Sequence, residues 1–384
     1  MTNVSSRYKA ALSNELNGQP VYLYWKGRVA LYALLKSLNV GPGDEVVIPS
    51  YTCVVVPNAI MYLGAKPIYA DINLQTFNTN ASNVRKAISP RTKVIICQNT
   101  YGLSVELEEI CCIAAELGIK TIEDCTHGFG GFYNDQPNGV TCDAAIFSTQ
   151  WNKPYSTGVG GFATTRCNEL SQALEKVNNA LLKPTALEIL QLRCLVAARQ
   201  YLINEHTYWA MVKLYRWLSS KNIVIGSSSP TELNGIELPE NYFKGHASFQ
   251  SSTGLKGLNH LRATLQHRKI VASQYSKFLS DIGRNCVDER YAHNHSFLKY
   301  PLLVKDRAKF LHAAEESRVE LGDWFTSPLH PIEGDLERWH LHTQNFPVAR
   351  FASRHVVNLP TTPNSVDAVI GFLGQQKHSL MEPQ

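Results

Sequence analysis

The sequence carries almost no excess charge: 37 lysines and arginines stand against 32 aspartates and glutamates, a formal net charge of +5 over 384 residues. That is too little to lay down the electrostatic footprint of a nucleic-acid-binding protein. No apolar stretch of signal-peptide length follows Met1, and the expectation is a protein that stays in the cytoplasm. No C-x-x-C spacing occurs among the nine cysteines, an odd number with several in apolar runs, so they read as reduced structural thiols, Cys125 being the one to watch. Internal repeats and low-complexity tracts are also missing. Apolar residues make up 44% and charged residues 18%, which excludes the disordered and collagen-like classes. At roughly 150 residues per domain the length allows two domains, or one large one.

Strand and helix signals alternate along the first half. Leu31, Leu34, Leu35 and Leu38 follow helical spacing over 28–38, and Gly41-Pro42-Gly43 supplies the stop. Glu45 to Pro49 reads as a short buried strand, 52–63 as a helix, Lys66 to Asp71 as a strand and Val84 to Ile88 as helix. Lys93 to Cys97 and Ile119 to Glu123 are strands around a helix over 107–117, and strands follow at Ala144 to Ser148 and Gly161 to Thr165. Short continuous apolar strands separated by helices predict an α/β fold with a mostly parallel sheet covered on both faces. Ligands of such sheets sit at the carboxyl ends of the strands, which selects Asp71, Asn99 to Gly102, Asp124 and the segment after Phe147. The stretch from Pro184 to Ser220 is a long helical pattern whose charges exclude a transmembrane helix. A loop over 223–240 leads toward a helix that carries Leu255, Leu258, Leu261 and Leu265 and continues to Tyr275.

Three local features carry chemistry. Asp124 ends a predicted strand, where an acid can hold a protonated ring nitrogen, ligate a metal or cap the next turn. Lys153 lies five residues beyond Ser148, just after another strand; burial there would disfavour the ammonium and make the amine a Schiff-base nucleophile. Gly27-Arg28 opens the first amphipathic helix, and a helix N-terminus with a close-approaching backbone suits a phosphate. Together these describe one ligand, pyridoxal 5'-phosphate. The His293/His295 and His340/His342 pairs lack a companion acid or thiol pattern, so no metal is expected. The glycines of 128–131 and 158–161 make tight turns rather than a dinucleotide fingerprint.

The order and spacing of these residues resemble the DegT/StrS-type sugar aminotransferases of the fold-type I pyridoxal-phosphate enzymes. The resemblance rests on Gly41-Pro42-Gly43-Asp44-Glu45-Val46, Pro49-Ser50-Tyr51-Thr52, Gly64-Ala65-Lys66-Pro67 with Asp71-Ile72, Tyr101-Gly102, Glu123-Asp124, and Phe147-Ser148 with Lys153 and Gly160-Gly161. Ser327-Pro328-Leu329-His330 and Phe346-Pro347-Val348-Ala349 look like that family's landmarks in a second domain. It implies an aspartate-aminotransferase-like fold, with a large cofactor domain over 1–240, a helical insertion at about 176–230, and a smaller C-terminal α/β domain over 241–384.

The resemblance also assigns roles. Lys153 would form the Schiff base and shuttle the proton, and pyridoxamine 5'-phosphate would be the intermediate form of the cofactor. Asp124 would keep the pyridine nitrogen protonated. Ser148 and the backbone of Gly27 and Arg28 would bind the phosphate. His127 stands where the family usually has a glutamine near the ring oxygen. Cys53 takes the place of an aromatic residue stacked on the ring, with Tyr51 as a possible substitute. Asn241, in Asn241-Tyr242-Phe243-Lys244, approximates the family's Asn-Tyr-Arg, whose asparagine reaches the neighbouring subunit's phosphate; a homodimer with shared sites follows. Tyr155, Trp324 and His330 are candidate substrate contacts.

The implied reaction moves an amino group, from L-glutamate, to a nucleotide-linked 4-keto or 3-keto deoxysugar for polysaccharide or natural-product amino-sugar synthesis. Alternatives are a dehydratase of the same fold, whose members replace the lysine with histidine, and a non-catalytic cofactor-binding regulator. The insertion reads as a packed helical elaboration of the dimer surface in preference to a membrane-surface lid.

Overall fold

The computed structural model describes residues 3–202, 230–362 and 365–382. Seven strands form one sheet: β1 (Val21–Tyr24), β2 (Glu45–Pro49), β4 (Lys66–Ala70), β5 (Thr92–Gln98), β6 (Lys120–Asp124), β9 (Ala144–Ser148) and β10 (Gly161–Thr165). Their order across the sheet is β1-β10-β9-β6-β5-β2-β4. The four pairings from β9 to β4 are parallel, while β10 runs antiparallel to both β9 and β1. Two short pairs stand apart: β3 (Thr52–Cys53), which pairs outside the main sheet, and the hairpin β7–β8 (Phe132–Tyr133, Gln136–Pro137).

Apolar residues on both sides of each strand explain the parallel core. Val46, Ile48, Val94, Ile96, Ile122 and Ile146 pack on one face against Leu31, Leu34 and Leu35 of the helix α2 (Gly27–Ser37). Val47, Ile95 and Cys97 pack on the other face against Val84, Ile110 and Ala114, from helices Ala81–Ala87 and Glu108–Glu116. At this density each buried aliphatic side chain contributes roughly 1.5–3 kcal/mol of transfer free energy.

Local chemistry sets the element ends. Asn80 caps helix Ala81–Ala87 by accepting the Asn83 N–H at 2.9 Å, and Asp44 holds the turn after α2 by accepting the Gly41 N–H at 2.9 Å.

A second core is built from the C-terminal part, with Val271, Tyr275, Leu302, Val357 and Phe372 among its buried members, together with Tyr51 and Tyr101 from the sheet side. Its small sheet pairs Tyr300–Leu303 with Val356–Leu359. A third cluster joins the N-terminal helix Val4–Glu15, through Tyr8 and Leu12, to Leu261 and Leu265.

Three expectations are revised. Thr52–Cys53 is a strand, not the start of a helix, because it pairs in parallel with Leu329–His330; the helix begins at Val55. The helix expected through Leu255 to Tyr275 is two helices, Ser248–Leu258 and Leu261–Asp281. Within the 223–240 loop a short helix, Pro230–Asn234, forms. The insertion includes helix Ala186–Leu202; its residues 203–229 lie outside the described residues. Among the described residues no helix is long and apolar enough to cross a membrane, and no group of three or more His, Cys, Asp or Glu side chains is placed to hold a metal ion.

Candidate active site

The parallel strands end together on one edge of the sheet, and the site is assembled there. β6 ends on Asp124, which is buried, and its carboxylate accepts the Thr126 N–H at 2.9 Å. Burial raises the Asp124 pKa, an effect the Lys153 charge opposes. β9 ends on Ser148, and the turn that follows carries Lys153 back toward Asp124. Burial lowers the Lys153 pKa to about 8, with Asp124 acting in the opposite sense. The neutral, nucleophilic amine is therefore well populated just above neutral pH.

His127 is buried and its Nδ1 accepts the Tyr101 N–H at 3.2 Å. That bond assigns the remaining hydrogen to Nε2. Burial, reinforced by the Lys153, His330 and Lys299 charges, holds its pKa well below the usual range, so the ring stays neutral. Trp324 stacks on His127 with ring centres 5.4 Å apart and planes 14° off parallel, and the Lys153 ammonium lies 5.3 Å from the Trp324 ring centre. His330 stacks on Phe325 at 5.2 Å. Asp124 and His127 line a cavity together with Arg28, Cys53, Gln98, Thr126 and Phe325.

Arg28, which lines this cavity, lies in the first turn of α2. No side chain caps this helix, and no acidic residue sits in its first turn. A Cβ on Gly27 would stand 3.0 Å from the Phe147 carbonyl oxygen and 3.1 Å from Ser148 Cβ, while one on Gly161 would meet Gly27 Cα at 2.3 Å. Only glycines let the helix start, Ser148 and the head of β10 converge this closely. The Arg28 guanidinium pairs with Glu232 at 2.5 Å, both side chains buried, and Lys244 pairs with Glu188 of the insertion.

The structure thus brings together Gly27, Arg28, Cys53, Asp124, His127, Ser148, Lys153, Trp324 and His330. Tyr155 goes elsewhere: it is buried, and its hydroxyl bonds Tyr8 at 2.6 Å in the third core. Asn241 is exposed, in a left-handed conformation (φ 57°), on the segment whose Tyr242 donates to the Arg28 carbonyl at 3.2 Å. Tyr51 is buried with its hydroxyl on Tyr101 at 2.7 Å. Asp71 serves the fold: it accepts the N–H groups of Val348 and Ala349 at 3.1 and 3.0 Å, fixing the start of helix Pro347–His355. Phe325, Thr126 and the orienting Tyr101 N–H escaped the residue-level reading. Only the strand-end rule, which selected 99–102, pointed toward Tyr101.

A lysine with a depressed pKa, a buried acid that its charge acts on and a glycine-cleared helix start fit pyridoxal phosphate: each suits one of its aldehyde, ring nitrogen and phosphate. On this sheet, they define a pyridoxal-phosphate-dependent aminotransferase.

The chain belongs to the DegT/DnrJ/EryC1/StrS aminotransferase family, which it matches over residues 24–187 and 247–371. It is 34% identical over 360 residues to the GDP-perosamine synthase of Caulobacter vibrioides, covering 91% of this chain and 83% of that one. It is 37% identical over 152 residues to the UDP-2-acetamido-2-deoxy-3-oxo-D-glucuronate aminotransferase of Pseudomonas aeruginosa, 39% of this chain and 42% of that one. Matches to several other curated relatives likewise span less than half of their length. In fold it is similar to S. venezuelae DesV, with a TM-score of 0.76, 18% identity, and coverage of 99% of this chain and 91% of that one.

Proposed function

We propose that this enzyme transfers the amino group of an amino-acid donor, L-glutamate, to the keto group of a nucleotide-linked sugar, working in the cytoplasm as a homodimer with shared sites. The observation that supports the reading best is the buried Lys153, its pKa lowered to about 8 and its charge coupled to Asp124, near the close approach of Gly27 to Ser148. The sugar-nucleotide substrates named for its relatives support the acceptor class.

When bound, pyridoxal phosphate supplies an electron sink for the charge left at the donor Cα. Asp124 accepts a hydrogen bond from the ring nitrogen and keeps it protonated. Gly27, the Arg28 backbone and the Ser148 hydroxyl hold the phosphate, helped by the positive end of α2. His127 offers its Nε2–H to the ring's hydroxyl oxygen. Lys153 would hold the aldehyde carbon at rest, and its neutral amine would move the proton to and from the donor Cα. The keto-sugar half of the cycle runs through the same residues in reverse. Trp324 and His330 cover the approach and exclude water.

Purified enzyme loaded with pyridoxal phosphate should change its absorption when given L-glutamate and recover when a keto-sugar nucleotide follows. No change with glutamate would remove the donor assignment, and borohydride labelling of a lysine other than Lys153 would remove the site.

A further inference from the structure

Lys299 stands beside this site with no assigned task. Its main-chain N–H donates to the Tyr101 carbonyl at 3.0 Å, and three residues earlier the Ser296 hydroxyl donates to the His127 carbonyl at 3.0 Å. The segment is thus tied to the two residues that set the His127 ring. The Lys299 side chain is half-buried and makes no hydrogen bond or ion pair among the described residues. Arg268 lies behind it, buried, donating from Nη1 to the Leu298 carbonyl at 3.0 Å, with its Nε unpartnered. Both positive charges act on Lys153. Asp323 and Glu320, the carboxylates that influence Lys299, are exposed, where water screens them. A buried and a half-buried cation with no paired acid among the described residues are costly to hold unless an anion arrives to meet them.

An amino-acid donor must bring its nitrogen to the neighbourhood of Lys153, and its carboxylate is attached to the same carbon. We infer that Lys299 is a substrate-binding residue whose ammonium receives a carboxylate of the amino-acid donor, with Arg268 reinforcing the positive potential from behind. The assignment rests on the aminotransferase reading above and adds to it the residue that receives the α-carboxylate of the amino-acid donor.

The test uses holoenzyme and the variants K299M and K299R, each first checked for unchanged cofactor content and melting temperature. Two readouts follow: the glutamate concentration that half-saturates the absorption change without sugar, and calorimetric binding of maleate, a dicarboxylate with no amino group. K299M should raise the first and weaken the second by roughly tenfold or more, the scale of one lost hydrogen bond between charged groups. K299R should restore most of both, and the keto-sugar step should stay within about twofold of wild type. Unchanged glutamate and maleate values would overturn the inference. A defect confined to the keto-sugar step would also overturn it, giving Lys299 to the nucleotide phosphates. If wild-type enzyme ignores glutamate, the donor assignment fails on its own, and maleate binding still decides the role of Lys299.

Discussion

In the roles proposed for them, Lys153 and Asp124 would show how burial near strand ends converts ordinary side chains into reagents. The amine is pushed down to about 8 by burial, with Asp124 resisting. Below that pH the lysine is an ammonium and cannot attack an aldehyde. The rate at which cofactor-free enzyme takes up pyridoxal phosphate should therefore rise about tenfold per unit up to a pH near 8 and level off above it. A profile still climbing at pH 10 would mean that Lys153 is solvated. Replacing Asp124 with asparagine keeps the shape and removes the charge that holds the ring nitrogen protonated; kcat should fall roughly a hundredfold or more with cofactor still bound, the scale of a lost preorganised electrostatic contact. The positions of both were legible in the sequence: Asp124 closes one parallel strand and Lys153 lies in the turn after another, at the edge where such sheets bind ligands. Tyr155 was not, since its direction is fixed by Tyr8, 147 residues away, and no local pattern encodes that partner. Lys299 was invisible for the same reason.

At the scale of elements, the parallel strands were readable as short apolar runs, and two of them, Glu45–Pro49 and Ala144–Ser148, have their expected ends. The reversal of β10 left no trace in its composition, because a strand buried on both faces has the same residues in either direction. Thr52–Cys53 misled for a different reason: the β-branched run that follows is helical, but the two residues before it gain backbone bonds to Pro328 and His330, at 2.9 Å each through Thr52 and Val54. Tertiary pairing outweighs a weak local preference there. The meeting of α2, β9 and β10 is the element-level feature that makes the phosphate cradle. A methyl group on Gly161 would have to share space with the Gly27 backbone at 2.3 Å, so G161A must move the helix start away from Ser148. Its dissociation constant for pyridoxal phosphate should rise at least about tenfold with the fold retained. G334A, where an added methyl meets nothing within 4 Å, serves as the control. Equal affinities in the two variants would separate the cradle from cofactor binding.

For the whole molecule, distant parts of the chain converge behind the phosphate end. Glu232 pairs with Arg28, its carbonyl accepts the Asn58 amide at 2.8 Å, and Asn58 in turn accepts the Trp339 indole N–H at 2.6 Å. Chain segments from three regions thereby lock onto the helix that starts the cradle. E232Q would remove the carboxylate charge facing the buried Arg28 and should cost up to about 3–5 kcal/mol, seen as a lower denaturation midpoint. A drop of less than half that size would mean that water reaches the pair. The exposed Asn241 sits on the adjacent segment, where it has no partner to serve within its own chain's cavity. In the shared-site homodimer proposed above, Asn241 would meet one: the phosphate of the neighbouring subunit. Mixing and co-refolding inactive K153A with the weakly cofactor-binding N241A then yields half mixed dimers, each with one site that combines an intact Lys153 with an intact Asn241 from the other chain. At limiting cofactor the mixture should recover about one quarter of wild-type activity. Activity that stays at the sum of the two separate variants would place Asn241 and Lys153 in the same chain's site, and the dimer would lose its catalytic meaning.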